Sequence, residues 1–132
     1  MPERPEPGSP ADWLRYARSD LALARMSASA TVLLEKLCYH AQQAAEKSIK
    51  AVLIRYEIAF PRTHNLQVLL ELLPAMCPVP ELVAKSVALT DYAVMSRYPG
   101  EYEAVTGDEY REAVRMAEAV LAWAERLIQR SS

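Results

Sequence analysis

The segment Cys38–Lys50, CYHAQQAAEKSIK, decides the fold of this chain. It lies inside a stretch, Val32–Tyr56, that contains no Gly or Pro and is dominated by strong helix formers. Its core-facing positions recur at spacings of four and three, the pattern of one buried stripe on an amphipathic helix. Those positions are Leu34, Cys38, Ala41, Ala45, Ser48 and Val52. The sequence therefore predicts a long helix whose small side chains let a second helix approach closely.

A second row on the same helix is polar. His40, Gln43, Lys47 and Lys50 also step by three and four, so they share a face. Imidazole and ammonium groups bind anions or donate protons. The same helix thus has one face that packs against other helices and one polar face that could bind an anion or donate a proton.

Composition limits the class of protein. The 132 residues suffice for one domain, which we assign to residues 9–132, after a disordered lead-in at residues 1–8 where Pro alternates with charge. Net charge is −2, so no global basic field attracts nucleic acid and any anion site must be local. Cys38 and Cys77 match no metal spacing and are expected to be free thiols in the cytoplasm. No apolar run is long enough for a membrane span or a signal peptide.

Helical periodicity, caps and prolines divide the rest of the chain. The predicted helices are Pro10–Met26, Val32 to about Ala59, a short one at Asn65–Leu73, Glu81–Ser96 and Asp108–Gln129. Ser9 is expected to cap the first, and Thr106 with Glu109 forms a capping box for the last. No strand alternation occurs, and short connections favour antiparallel neighbours. The fold class predicted is all-α, an antiparallel up-and-down four-helix bundle with an additional short helix, with Trp13 and Trp123 on neighbouring helices.

Several kinds of catalytic site are missing from the sequence. It contains no Gly-rich phosphate loop, nucleophile triad or metal-ligand cluster. The Glu-x-x-His pairs of di-iron bundles are also absent. We therefore expect neither a metal nor a cofactor.

Four segments in a fixed order carry a resemblance that covers nearly the whole chain. They are Trp13, Ala17, Asp20-Leu21 and Ala24; His40–Lys47 with Lys50-Ala51; Pro61–Leu66; and Arg97–Gly100. In this combination the chain resembles the HEPN family of nucleotide-binding helical domains. The resemblance implies a helical bundle that dimerises and that stands beside a separately encoded minimal nucleotidyltransferase, as in toxin–antitoxin pairs.

Many HEPN members are metal-independent RNases, and the resemblance implies where that activity would reside. Their motif is an Arg followed, after four to six residues, by a His, and two motifs face each other across the dimer. Arg97 stands at the starting position here, but no His follows it. Glu101 or Tyr102 would have to replace that His, because such cleavage needs groups that accept and donate a proton. Autonomous catalysis is therefore not expected.

Each candidate residue also has a structural interpretation. His40 either contacts phosphate or is hydrogen-bonded at a helix–helix edge. His64 is expected to support the cap of the short helix, and Lys47 and Lys50 are either phosphate contacts or solvated lysines, with Glu46 and Lys50 forming a weak pair.

The same choice applies to the remaining candidates. Asp20 either pairs with a residue such as Lys47 or orients a site residue. Arg97 either binds phosphate or interacts with the end of its helix. Tyr98 and Tyr102 either stack on a base or are buried.

The predicted site is a polar cleft that binds nucleotide or phosphate. Its residues are His40, Gln43, Lys47, Arg97 and Tyr98, with Asp20, Lys50, His64, Glu101 and Tyr102 in support. The leading hypothesis is a homodimeric nucleotide-binding or regulatory accessory subunit for a nucleotidyltransferase, with nucleotide or RNA as ligand. Two alternatives remain, a diverged metal-independent RNase toxin and a purely structural dimerisation module.

Overall fold

The computed structural model describes residues 4–26, 28–29, 31–95, 100 and 102–130. Six α-helices and one 3₁₀ helix occur in these ranges. They are α1 Pro10–Ala24, α2 Leu34–Arg55, α3 Leu66–Glu71, α4 Glu81–Lys85, the 3₁₀ helix Ser86–Leu89, α5 Thr90–Met95 and α6 Gly107–Arg130. The described ranges contain no strand.

The bundle is built around α2. This helix packs most extensively against α1 and α6, and it also contacts α3, α5 and the 3₁₀ helix. α4, the 3₁₀ helix and α5 follow one another without a break and form the fourth long element of the bundle, with α3 as the additional short helix. The all-α four-helix bundle predicted from the sequence is confirmed.

Small side chains let α2 sit at the centre. Ala41, Ala44, Ala45, Ser48 and Ala51 are completely buried. They face α1 and α6, which present small buried residues of their own, Ala17, Ala24, Ala117 and Ala124. Dispersion contacts at such close approach are numerous, and apolar area is removed from water. The small-residue row is therefore covered by helices of the same chain.

The predicted caps of the first and last helices are confirmed. Ser9 Oγ accepts a hydrogen bond from the backbone N–H of Asp12 at 3.2 Å. Thr106 Oγ1 accepts from the N–H of Glu109 at 3.1 Å, while the Glu109 carboxylate accepts from the N–H of Thr106 at 2.9 Å. These bonds satisfy N–H groups that have no partner within the helix.

The end of α2 differs from the sequence prediction. The helix stops at Arg55 rather than near Ala59, because Glu57 adopts a positive φ of 59°. The N–H of Ile58 then donates to the carbonyl of Leu53 at 2.9 Å, and the N–H of Glu57 donates to that of Ile54 at 2.9 Å. This is a Schellman motif with Glu where Gly is usual. The sequence prediction ended the helix near Ala59 because Pro61 disfavours helix at Phe60, and no Gly marks the earlier end.

Replacing Glu57 with Gly is expected to stabilise the protein. A left-handed residue with a Cβ costs about 1–2 kcal/mol, and the greater freedom of Gly in the unfolded chain offsets part of that. The expected gain in the free energy of unfolding is about 0.5–1 kcal/mol, measured by urea denaturation. Glu57→Ala is the matched control, since it removes the carboxylate and keeps the strain. A Gly variant no more stable than the Ala variant would contradict this interpretation.

The fourth long element is segmented, whereas the sequence predicted one continuous helix, Glu81–Ser96. The hydroxyl of Ser86 donates to the carbonyl of Val83 at 2.5 Å, three residues back, where the backbone tightens into 3₁₀ geometry. One turn later, Thr90 Oγ1 accepts from the N–H of Leu66, the first residue of α3. Ser96 lies outside the described residues.

The two tryptophans lie on neighbouring helices, as predicted. Trp123 of α6 is buried and its indole N–H donates to the carbonyl of Pro78 at 2.7 Å. Trp13 of α1 is half-buried against the core. α1 and α6 are also joined by Arg18 and Glu125, 2.8 Å apart. Across the described ranges, none of the helices is both long enough and apolar enough to cross a membrane.

Candidate functional site

Asp20 of α1 holds together two polar residues of α2. Its Oδ1 accepts from His40 Nδ1 at 3.0 Å, and its Oδ2 accepts from Lys47 Nζ at 2.5 Å. The side chains of His40 and Lys47 are 31% and 22% exposed, while that of Asp20 is 11% exposed. The Asp20 carboxylate is thus the most buried member of the cluster, and the His40 imidazole and the Lys47 ammonium are more accessible.

Both nitrogen-bearing side chains of this first cluster are partly exposed and have further hydrogen-bonding groups. With Nδ1 engaged by a carboxylate, Nε2 is the ring nitrogen of His40 that remains for a ligand or a proton. Lys47 has three N–H donors, and the described hydrogen bonds use one. The ring of Tyr39 packs edge-on against His40 with centroids 5.3 Å apart, which limits how the imidazole can turn.

A second, buried cluster is centred on Glu46 of α2. Its carboxylate accepts hydrogen bonds from Lys50 at 2.9 Å, His64 at 2.8 Å and Gln42 at 3.1 Å. Gln43 donates to Gln42 at 2.7 Å and to Glu46 at 3.4 Å. Glu46 is 3% exposed and Gln42 is fully buried. A buried carboxylate needs such partners because desolvation of an unpaired charge is costly.

Lys50 is the buried cation of this second cluster. Its side chain is 9% exposed, and its ammonium lies 5.7 Å from the ring centroid of Trp13 and 5.5 Å from that of Phe60. The interpretation of Lys50 as a solvated lysine is therefore wrong, because two aromatic rings cover it. Its pair with Glu46, expected to be weak, is a buried ion pair.

His64 connects the segment after α2 back to that helix. Its side chain is half exposed and bonds Glu46, and its carbonyl accepts from Gln42 at 3.1 Å. The expected support for the α3 cap is not what it provides, because Asn65 Oδ1 accepts from the N–H groups of Gln67 and Val68. The sequence assigned the His64 side chain to a helix cap, but in the structure it joins the segment after α2 to α2 itself.

The hydrogen bonds to Glu46 set its acidity. Burial, the largest single influence, raises the pKa of the carboxyl group, but the donors Lys50, His64 and Gln42 together outweigh it. The pKa of Glu46 is therefore lower than its ordinary value of 4.5. The anionic form is held firmly and is poorly suited to accept a proton from a substrate.

The two cysteine thiols are buried, and burial disfavours their ionisation. Burial raises the pKa of Cys38 to about 12, and it also raises that of Cys77. Both are free, as the sequence predicted, and the structure shows that both are buried. Because the thiolate is the nucleophile, neither cysteine is a catalytic candidate.

The predicted site residues divide between the two clusters. His40 and Lys47 meet on Asp20, whereas Gln43 belongs with Glu46, Gln42, Lys50 and His64. Tyr102 is described and 44% exposed. Arg97, Tyr98 and Glu101 lie outside the described residues.

Sequence reasoning missed the importance of Gln42 and underrated Glu46. The available signal was their spacing, since Gln42, Glu46 and Lys50 follow one another at intervals of four and so share a helix face.

An open pocket adjoins the first cluster. It has a volume of about 400 Å³ and is lined by Gly8, Asp12, Trp13, Tyr16 and Lys47. Tyr16 is 53% exposed, and the Lys47 ammonium lies 5.9 Å from its ring centroid. The described residues include no group of His, Cys, Asp and Glu arranged to hold a metal ion.

Comparison with known protein families identifies the family of this chain. A model of the HEPN domain matches residues 10–127, from the first residue of α1 almost to the end of α6. The chain belongs to the HEPN family. The resemblance read from the sequence is thereby confirmed.

Two solved structures have the same HEPN fold. The crystal structure of TT1696 from Thermus thermophilus is 32% identical, with a TM-score of 0.73, covering 89% of this chain and 97% of that one. The crystal structure of ST0689, an archaeal HEPN homologue, is 28% identical, with a TM-score of 0.70, covering 91% of this chain and 98% of that one. A search of curated proteins gave no match.

Proposed function

We propose that this HEPN chain is a nucleotide-binding or regulatory accessory subunit, a homodimer that works with a separately encoded minimal nucleotidyltransferase. The observation that carries the proposal is that Asp20 holds the side chains of His40 and Lys47 together on a partly exposed face. An ammonium and an imidazole fixed by one carboxylate form a pre-organised contact for phosphate oxygens. Arg97 and Tyr98 lie outside the described residues and are assigned to the site from the sequence alone, whereas Gln43 belongs to the buried cluster around Glu46.

An accessory function fits the chemistry better than autonomous catalysis. The His of the family's RNase motif is missing after Arg97, both cysteines are buried, and Glu46 is held as a firmly bonded anion. What remains accessible on the described surface of α2 is suited to binding. Membership of a family whose members stand beside nucleotidyltransferases supports the choice of partner.

The diverged RNase is the alternative, and one contact favours it. Asp20 bonded to His40 Nδ1 is the arrangement by which a carboxylate orients an imidazole as a general base. Metal-free cleavage of single-stranded RNA that Arg97→Ala abolishes would favour this alternative over the accessory subunit.

The homodimer is tested by its mass in solution. The small-residue row of α2 gives no reason for a dimer, because α1 and α6 already cover it. The proposal depends on family membership and on the frequency of two-fold symmetry among soluble oligomers. Light scattering at micromolar concentration should give twice the mass of the 14.8 kDa chain. A mass of one chain would contradict the homodimer.

The partner is tested under native expression. The chain should co-purify with a nucleotidyltransferase encoded in the adjacent reading frame. Asp20→Asn, which weakens the fixation of His40 and Lys47, is compared with Asp108→Asn, where the exposed aspartate pairs with Arg111 of its own helix. Failure of the unaltered chain to co-purify with any nucleotidyltransferase would contradict the proposed partnership.

A further inference from the structure

We infer that the pocket between the segment before α1, α1 itself and α2 binds a planar aromatic ring that carries a phosphate, with the ring against Tyr16 and the phosphate on Lys47. This inference rests on the proposed function for the class of ligand, and it extends the contact at Lys47 to residues of α1. The pocket residues Trp13 and Tyr16 were not among the predicted site residues.

The shape and lining of the pocket indicate an aromatic ligand. Its volume of about 400 Å³ lies within the range of small-molecule sites. Two aromatic side chains, Trp13 and Tyr16, supply walls, and Gly8 approaches with backbone alone. Tyr16 is 53% exposed. An exposed aromatic ring at the wall of a pocket offers a surface on which a flat ring can stack.

The charges around the pocket favour an anionic substituent. Asp12 also lines it, but this carboxylate already accepts from Arg15 at 2.9 Å and from the N–H of Gly8 at 3.0 Å. Lys47, on the other side, is more exposed than its partner Asp20. The accessible charge is therefore the ammonium, which suits a phosphate as a compact point charge.

A cationic ligand fits less well. The aromatic rings here already have cations of the protein near them, with Arg15 5.0 Å and Lys47 5.9 Å from the centroid of Tyr16 and Lys50 5.7 Å from that of Trp13. A further positive group would be repelled by these three side chains. The same cations attract a phosphate.

The test uses adenosine 5′-monophosphate as the probe, with adenosine and inorganic phosphate as partial ligands. Binding is followed by isothermal titration calorimetry and by quenching of tryptophan fluorescence. We expect the monophosphate to bind more tightly than either partial ligand, since each supplies half of the contacts. Because Trp13 lines the pocket and Trp123 is buried against Pro78, the quenching should disappear in Trp13→Phe.

Tyr16→Ala is the decisive variant, because an exposed side chain can be removed without unfolding the bundle. Loss of base stacking should weaken monophosphate binding by about five-fold or more. Tyr56→Ala, which removes another exposed tyrosine at the C-terminal end of α2, should leave the affinity unchanged. Unchanged affinity in Tyr16→Ala, with binding intact, would overturn this site and leave the proposed function standing. No binding of the monophosphate to the unaltered protein would overturn both the site and the nucleotide part of that function.

Discussion

Glu46→Gln is expected to lower the free energy of unfolding by about 3–5 kcal/mol, the range for breaking a buried ion pair at one partner. The change removes the negative charge and leaves the Lys50 ammonium, 9% exposed, without a counter-ion. The amide keeps a single acceptor oxygen, so an N–H₂ donor then faces either Lys50 or the two donors His64 and Gln42. Urea denaturation of the variant and the unaltered protein measures the difference.

The chain contains a matched control for this prediction. Lys85 and Glu81 also form a pair four residues apart on a helix, 3.0 Å apart, but their side chains are 63% and 82% exposed. Glu81→Gln should change stability by less than about 0.5 kcal/mol, because exposed helix pairs contribute little. Replacing both Glu46 and Lys50 with Met should recover most of the loss, since no charge is then left buried. Equal losses from Glu46→Gln and Glu81→Gln would refute the assignment of a buried charge.

The same carboxylate predicts a dependence on pH. The pKa of Glu46 in the folded protein is lower than its ordinary value of 4.5, so the unfolded chain takes up a proton first as the pH falls. The stabilisation is present above pH 4.5 and is lost progressively as the pH falls through the lower folded value. Stability curves against pH should therefore be flatter below 4.5 in Glu46→Gln than in the unaltered protein.

Trp123→Ala should be comparably destabilising, by about 3–5 kcal/mol, but for a different reason. The indole is 2% exposed in the core and also bonds the carbonyl of Pro78, which tethers the connection before α4 to α6. Removing it leaves a cavity, and the surrounding helices can fill it only in part. Thermal and urea unfolding measure the loss.

Two variants separate the contributions of Trp123. Trp123→Phe keeps an aromatic ring and loses the hydrogen bond, so its loss should be smaller, with about 0.5–1.5 kcal/mol due to the lost hydrogen bond. Leu23→Ala, at a residue 40% exposed on α1, should change stability by no more than about 0.5 kcal/mol. If Trp123→Ala behaved like Leu23→Ala, the position of the indole in the core would be wrong.

Helices and their starts were predictable because the signals are local. The three- and four-residue spacing of small and apolar side chains gave α2, and Ser9 and Thr106 marked the starts of α1 and α6 through hydrogen bonds that span three residues. The end of α2 was not predictable in the same way. Glu57 adopts a left-handed backbone conformation in which Gly is the favoured residue. A Glu in the sequence gives no indication of such a conformation.

The candidate site required the tertiary structure because its pairs are distant in sequence. Periodicity put His40, Gln43 and Lys47 on one face, but whether a face is covered depends on what packs against it. α1 brings Asp20 to His40 and Lys47, 20 and 27 residues away, and the segment after α2 brings His64 to Glu46. Burial then converts a common helix-surface pair, Glu46 and Lys50, into a buried ion pair covered by aromatic rings. The sequence by itself determined the family and the approximate positions of the helices, and only the packing of those helices decided which charges are buried and which remain at the surface.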